Sequence, residues 1–336
     1  MKGNLYTTKR GRYIIGDSVD LLANSLRNEL EGKVQLILTS PPFPLNNKKS
    51  YGNLKGDIYK KWFINLAEIF SPLLKPDGSI IIELGNAWEP NKPIQSLLHL
   101  ESLMGFTTNP KTDLRLCQEF ICYNPSRLPS PAEWVTVKRI RVIDSFTHVW
   151  WISKSDYPKA DNRKVLRPYS NDMKTLLKNK KYNSGKRPSE HNISRMGFAK
   201  DNDGSIMPNL IELEPIINEK EIRLPKNVFS IANTNSNDFF LRTCRERGIR
   251  PHPARMPLSL ASFFIEFLTD PNDIVLDPFA GSNTTGFCAE KIGRNWISIE
   301  ICKDYGEQAV VRFEDPIISG DFYVFLQEKF LGNSKV

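Results

Sequence analysis

The sequence predicts an α/β protein on a mostly parallel, Rossmann-like sheet, and three observations predict it. Residues 34–38 and 79–84 are short aliphatic runs separated by a helical stretch, the pattern of neighbouring strands covered on both faces. Residues 274–276 and 295–300 repeat that pattern around a second helical stretch. In both pairs the first strand stops abruptly at an unusual cluster, Ser40-Pro41-Pro42-Phe43 in one and Asp277-Pro278-Phe279-Ala280-Gly281 in the other. Strand ends of this kind form the ligand-binding edge of open α/β sheets.

Taken in order, residues 11–17 read as a short strand ending in Gly16-Asp17, followed by a helical pattern in Val19, Leu21, Leu22 and Leu26. Asp17 either caps that helix or accepts a hydrogen bond from a cofactor. At the end of the next strand Pro41 and Pro42 lack amide hydrogens and fix φ, so a regular ladder cannot use up the carbonyls of Ser40 and Pro41. A hydroxyl, free carbonyls and the Phe43 ring suit an exocyclic amine on a flat heterocycle. The amine would donate to Ser40 and to the Pro41 carbonyl while the ring stacks on Phe43. A proline turn whose Phe43 plugs the core is the alternative.

Residues 46–53 are a polar loop that could close over a ligand. A helix is predicted over 57–74, ending at Lys75-Pro76-Asp77-Gly78, then a strand over 79–84 reached by a right-handed crossover. A helix near 93–104 precedes strands at 114–123 and 146–152, joined by a long, proline-rich, basic connection over 124–141 that carries Trp134. Residues 153–235 lose periodicity and read as a mostly irregular insertion. Order resumes at His252-Pro253-Ala254-Arg255, ahead of an apolar helix over 258–269.

The turn after the 274–276 strand brings small residues close to a ligand, and a helix follows from 282–285 to Lys291. Glu300 ends the next strand, 23 residues after Asp277, where an acid suits the hydroxyls of a ribose. Neither a G-x-G-x-x-G nor a G-x-x-x-x-G-K-[ST] pattern is present, so a nucleoside bearing a carboxylate fits better than a phosphate grip.

The chain has 336 residues, 40% hydrophobic and 25% charged, as in a globular protein of one large or two modest domains. No apolar run reaches the ~18 residues of a membrane span, and the polar start lacks a signal-peptide core, so a cytoplasmic protein is expected. Five scattered cysteines and four histidines suggest neither a disulfide framework nor a metal site. The net charge of +8 is concentrated. Residues 153–200 hold thirteen Lys or Arg against four Asp or Glu, the footprint of a polyanion-binding region or of a solvated surface loop.

Thr39-Ser40-Pro41-Pro42-Phe43 and the segment from Asp277 to Gly286, including Ser282, Asn283, Thr284 and Thr285, resemble the paired motifs of S-adenosylmethionine-dependent DNA amino-methyltransferases. With the catalytic stretch first and a basic region between the two, the order resembles the circularly permuted beta class. Ser-Pro-Pro-Phe is similar to its cytosine-N4 members. Tyr51-Gly52-Asn53, Asn124-Pro125-Ser126, the run from Lys138 to Val142, and His252 to Arg255 resemble that subfamily too, in particular members serving CAGCTG-recognising type II restriction systems.

The resemblance implies a Rossmann-like methyltransferase sheet with a catalytic half over 1–152, a target-recognition region over 153–245 and a cofactor half over 246–336. It implies that Ser40, Pro41, Pro42 and Phe43 form the target-base pocket. Phe279, Ala280, Gly281, Ser282, Thr284 and Thr285 would hold the methionine part of S-adenosylmethionine, Glu300 the ribose and Asp17 the adenine amine, with Asp277 and Ala254 completing the cofactor site. Asn283 stands where many relatives have glycine and brings a side chain near the methionine pocket. The DNA contacts would come from Lys48, Lys49, Tyr51, Asn124, Arg127, Lys138, Arg139, Arg141, Lys186 and Arg187. Double-stranded DNA is the implied partner, with a restriction endonuclease as a functional companion, in a monomer or homodimer. The expected reaction is cytosine-N4 methylation of a flipped-out base. Adenine-N6 methylation and a non-catalytic DNA-binding protein are the alternatives.

Overall fold

The computed structural model describes residues 3–43, 54–212, 239–314 and 325–326. The chain runs β1 (Gly3–Thr7), β2 (Gly11–Ile15), α1 (Ser18–Ala23), α2 (Arg27–Leu30), β3 (Val34–Thr39), α3 (Gly56–Phe70), β4 (Leu74–Gly85) and α4 (Leu98–Thr107). It continues with β5 (Arg115–Tyr123), β6 (Phe146–Ser153), α5 (Asn171–Asn179), β7 (Gly185–Lys186), β8 (Asn192–Ile193), β9 (Leu210–Glu212), α6 (Phe239–Glu246) and α7 (Leu258–Leu268). Last come β10 (Ile274–Asp277), α8 (Thr284–Lys291), β11 (Asn295–Glu300), α9 (Lys303–Ala309) and β12 (Phe325–Leu326).

One large sheet has the order β12-β1-β2-β11-β10-β3-β4-β6-β5-β9. Its centre, from β2 to β4, is parallel. The aliphatic runs of β3 and β10 are buried on both faces, so they pair at the middle. From that pair the chain leaves in opposite directions, β3 towards β4 and β10 towards β11. The connections diverge between them and open a crevice at the carboxyl ends of β3 and β10. Helices α1, α3 and α4 pack on one face through Leu22, Phe63 and Phe106. Helices α7, α8 and α9 cover the other through Phe264, Phe287 and Ala309.

Several boundaries differ from the sequence expectation. The helix expected to reach residue 74 ends at Phe70 in a 3-10 turn, and Lys75-Pro76-Asp77-Gly78 belongs to β4, because Leu74 already pairs with Val34. A proline is tolerated so near the start of a strand. The helix expected over 93–104 begins at Leu98, after a turn closed by the Ser96 amide on the Ala87 carbonyl. The polar start forms β1, whose Tyr6 is fully buried. The insertion contains α5, the small β7-β8 ribbon and β9, which extends the sheet beside β5. Residues 46–53, with Lys48, Lys49 and Tyr51, lie outside the described residues, as do 213–238 of the insertion. Among the described residues no helix is long and apolar enough to cross a membrane.

The start of the insertion is bound to the body by charge. Lys159 reaches Asp270 at 2.7 Å and Asp273 at 2.9 Å, Lys164 reaches Asp270 at 2.6 Å, and Lys75 reaches Asp273 at 2.5 Å. Burial alone would push Asp273 up, but Lys75, the Asp270 amide and Lys159 outweigh it and hold the carboxyl below its usual range. A depressed carboxyl stabilises the fold above its unfolded pKa of about 4, and that contribution disappears as pH falls through the folded value. Asp273→Asn is therefore expected to lower the urea midpoint at pH 7, with the gap to wild type closing below about pH 4. Equal midpoints at pH 7 would refute this role.

Candidate functional site

The crevice is a cavity of about 910 Å³ whose walls come from the carboxyl ends of the central strands. Its lining brings together Asp17, Ser40, Pro41, Pro42, Phe43, Asn124, Arg127, Ala254, Asp277, Phe279, Ala280, Gly281, Ser282, Thr284, Thr285 and Glu300, sixteen of the residues that the sequence singles out. The two distant stretches meet because Asp277 ties them. Its Oδ1 accepts the Thr39 hydroxyl at 2.7 Å and the Phe279 amide at 3.1 Å, and its Oδ2 accepts the Thr285 hydroxyl at 2.7 Å. Burial pushes Asp277 up to about 6 against these bonds. Both oxygens are thus engaged by the protein, which makes Asp277 a clamp at the floor of the cavity.

The turn after β10 is fixed on all sides. The Gly281 amide donates to Glu300 Oε2 at 2.9 Å, and its carbonyl accepts the Tyr13 hydroxyl at 2.7 Å. Gly281 has φ +49, and a Cβ there would lie 3.2 Å from the His252 ring, so glycine is required both for conformation and for space. The His252 Nδ1 meets the Ala254 carbonyl, and burial holds the imidazole down at about 4, so it is neutral at pH 7. Ser282 is held by Arg312, through its carbonyl at 2.6 Å and its hydroxyl at 3.0 Å. Asn283 departs from the expectation that its side chain stands near the ligand: it is fully buried, donates to Tyr6 at 2.7 Å and accepts from Ser298 at 2.7 Å. Its left-handed φ of 55° turns it behind the turn.

Glu300 accepts the amides of Gly281 and Cys302, at 2.9 and 2.8 Å, and burial raises its pKa. Each carboxylate oxygen keeps a second lone pair for a hydroxyl. Of the two roles that the sequence leaves open for Asp17, the structure shows the cap, Oδ1 accepting the amides of Val19 and Asp20, and the exposed residue also lines the cavity. On the opposite wall, Phe43 lies against the end of β4, where a Cβ on Gly85 would come within 2.7 Å of its ring. Among the described residues the Ser40 hydroxyl has no partner.

Among the lining residues that escaped the sequence reading are two aromatic residues and an acid with its hydroxyl partner. Tyr59 and Trp62 come from α3, and Trp62 touches Phe279 at 5.6 Å between ring centroids. Glu83 and Thr147 come from β4 and β6, the Thr147 hydroxyl donating to Glu83 Oε1 at 3.1 Å. Burial pushes Glu83 up to about 7, with Thr147 and the nearby Arg127 guanidinium opposing it. The available signal was an acid inside the apolar run 79–84. Of the remaining predicted contacts, Lys138 and Arg139 are exposed on the 124–145 loop. Lys186 is exposed and Arg187 half-buried on the β7-β8 ribbon, outside the cavity lining. Arg141 turns inward to Asp144 and the Pro93 carbonyl, both at 3.0 Å, and anchors its loop.

A family model described as DNA methylase matches residues 34–311, most of the chain. The chain belongs to this family. The methylase is 40% identical over 333 residues to the type II methyltransferase M.PvuII of Proteus hauseri, covering 98% of this chain and 92% of that one. It superposes on a solved structure described as PvuII DNA methyltransferase (cytosine-N4-specific) with a TM-score of 0.70 at 36% identity, covering 94% of this chain and 90% of the other. A putative DNA modification methylase of Thermus thermophilus shares the fold at a TM-score of 0.53 and 16% identity, over 93% of this chain and 97% of its own.

Enzymes of this family use S-adenosylmethionine, and the cavity fits it. Thr284 opens α8 with a buried hydroxyl that has no partner among the described residues, at the helix end that favours a carboxylate. Glu300 offers acceptors for a ribose, and the wall made by Val19, Trp62, Phe279 and Ile301 suits a flat ring. Thr284→Val is expected to leave thermal stability equal or slightly higher while weakening S-adenosylmethionine binding by roughly 10-fold or more, the cost of one hydrogen bond to a charged group. Calorimetric titration checks it. Unchanged affinity would remove Thr284 from the cofactor site.

Proposed function

We propose that this methylase transfers the methyl group of S-adenosylmethionine to the exocyclic N4 amine of a cytosine flipped out of duplex DNA. The observation that carries the reading is the meeting, in one cavity, of the Ser40-Pro41-Pro42-Phe43 edge and the Phe279-Ala280-Gly281 turn. The 40% identity to M.PvuII over nearly the whole chain supports cytosine-N4 as the position modified. It also supports a place as the modification partner of a restriction endonuclease, acting on DNA in the cytoplasm. CAGCTG is the first recognition site to test.

When bound, S-adenosylmethionine supplies an electrophilic methyl group. The residues of this chain position the base and handle its protons. A base stacked within a duplex cannot reach the cavity floor, so it must leave the helix, at a cost of a few kcal/mol. The Phe43 ring replaces part of the lost stacking. The Ser40 hydroxyl and the Pro41 carbonyl accept the amine hydrogens, which draws the nitrogen lone pair away from the ring and towards the cofactor side. As nitrogen gains a carbon it must release a proton. Glu83, held near pH 7 in the same cavity with only one oxygen engaged by Thr147, is placed to receive it.

The reading is tested by incubating the enzyme with labelled S-adenosylmethionine and mixed-sequence duplex DNA, then identifying the labelled nucleoside by mass spectrometry. N4-methylcytosine is expected, and N6-methyladenine would overturn the base assignment. Ser40→Ala should lower kcat roughly 10- to 100-fold with cofactor affinity unchanged, the loss of one charge-assisted hydrogen bond. Because Glu83 accepts a proton only when ionised, kcat/KM, which reports the free enzyme, should rise with pH through about 7, and Glu83→Gln should be slow and lack that rise. A Glu83→Gln profile that keeps the rise would remove Glu83 from proton transfer.

A further inference from the structure

The segment between β5 and β6 is braced by hydrogen bonds at its base. Its neck is pinned by the Asn124 amide on the Ser145 carbonyl at 2.7 Å and by Arg127 Nη1 on the Phe146 carbonyl at 2.8 Å. A second anchor lies beside that neck in the chain, where Asp144 Oδ2 accepts both the Trp88 indole and Arg141 at 3.0 Å. Between these anchors it presents cations and aliphatic side chains together. Lys138 lies 4.2 Å over the Trp134 ring, and Arg139 is exposed beside it. Leu128, Val137, Ile140 and Val142 are 81%, 74%, 60% and 85% exposed.

Aliphatic groups held in water by a braced loop need a destination. Cations interleaved with them select a polyanion, and the partner of this family is DNA. A duplex offers such side chains a site when a base step opens, because an apolar wedge fills the gap and holds the bases apart. Leu128 is the exposed aliphatic residue next in the chain to the cavity lining. It directly follows Arg127, which lines the cavity, while Leu128 itself is open to solvent. Val142 follows Arg141, which is turned to Asp144 and Pro93 at the second anchor and is not part of the cavity lining.

We propose that the 124–145 loop enters the duplex and that Leu128 is the wedge occupying the space vacated by the target base. This rests on the reading that the substrate is a base drawn from a duplex. The side chain acts by stabilising the extruded state, so its contribution should matter only when extrusion is costly.

The test uses a duplex that the wild-type enzyme methylates, with 2-aminopurine next to the target, and a second duplex with an abasic site opposite the target so that no pairing must be broken. Leu128→Ala should show a smaller fluorescence rise and a kcat/KM at least about tenfold lower on the paired duplex, because the extruded state loses the side chain that fills the vacated space. On the abasic duplex it should recover to within about threefold of wild type, with S-adenosylmethionine affinity unchanged throughout. Val142→Ala should match wild type on both. Equal rates on the paired duplex, or an equal deficit on both duplexes, would overturn the wedge. Failure of the wild-type enzyme to methylate any duplex would instead overturn the functional reading on which it rests.

Discussion

The bonds from Asp277 to Thr39 and Thr285 are the constraint on which the cavity depends. Parallel pairing aligns β3 with β10, but it does not fix the course of the chain beyond their last residues. A buried carboxylate between two threonine hydroxyls does, because it joins the end of β3, the end of β10 and the first turn of α8 at one point. A carboxylate accepts at both oxygens, and no neutral side chain of that size does the same. The chain separates the two stretches by more than two hundred residues, so this contact is what makes one cavity of them.

The cavity built on that clamp has a consistent electrostatic character. Glu83, Asp277 and Glu300 are all raised by burial, and His252 is held neutral. A cationic ligand placed among the three carboxyls would restore their ionised forms and be attracted in turn. Oriented acceptors and a low local dielectric let small displacements of charge have large effects. The hydroxyls of Ser40 and Thr284, both in the cavity lining, have no partner among the described residues, which leaves them available to ligands.

The parts legible in the sequence were those in which one residue type has few alternatives. Two prolines at a strand end, a glycine at a left-handed turn and an acid closing a strand each carry a physical requirement that survives without tertiary information. Asp17 was readable as the cap of α1 for that reason. Glu83 and Thr147 were not, because their meeting depends on antiparallel pairing of β4 with β6, which no local pattern announces. Arg141 and Lys138 look alike as exposed cations in a basic run, yet only the packing of Asp144 against Trp88 decides that Arg141 turns inward. Asn283 was misplaced because a left-handed backbone at a helix start redirects its side chain.

The most direct measurement replaces Asp277 by asparagine and follows S-adenosylmethionine affinity and methyl transfer in the same preparation, with circular dichroism to verify folding. The amide keeps the shape but offers a donor where Thr39 or Thr285 needs an acceptor. The account predicts a folded protein in which affinity and turnover both fall, since the two walls lose their common anchor. A folded Asp277→Asn enzyme with wild-type affinity and turnover would contradict it.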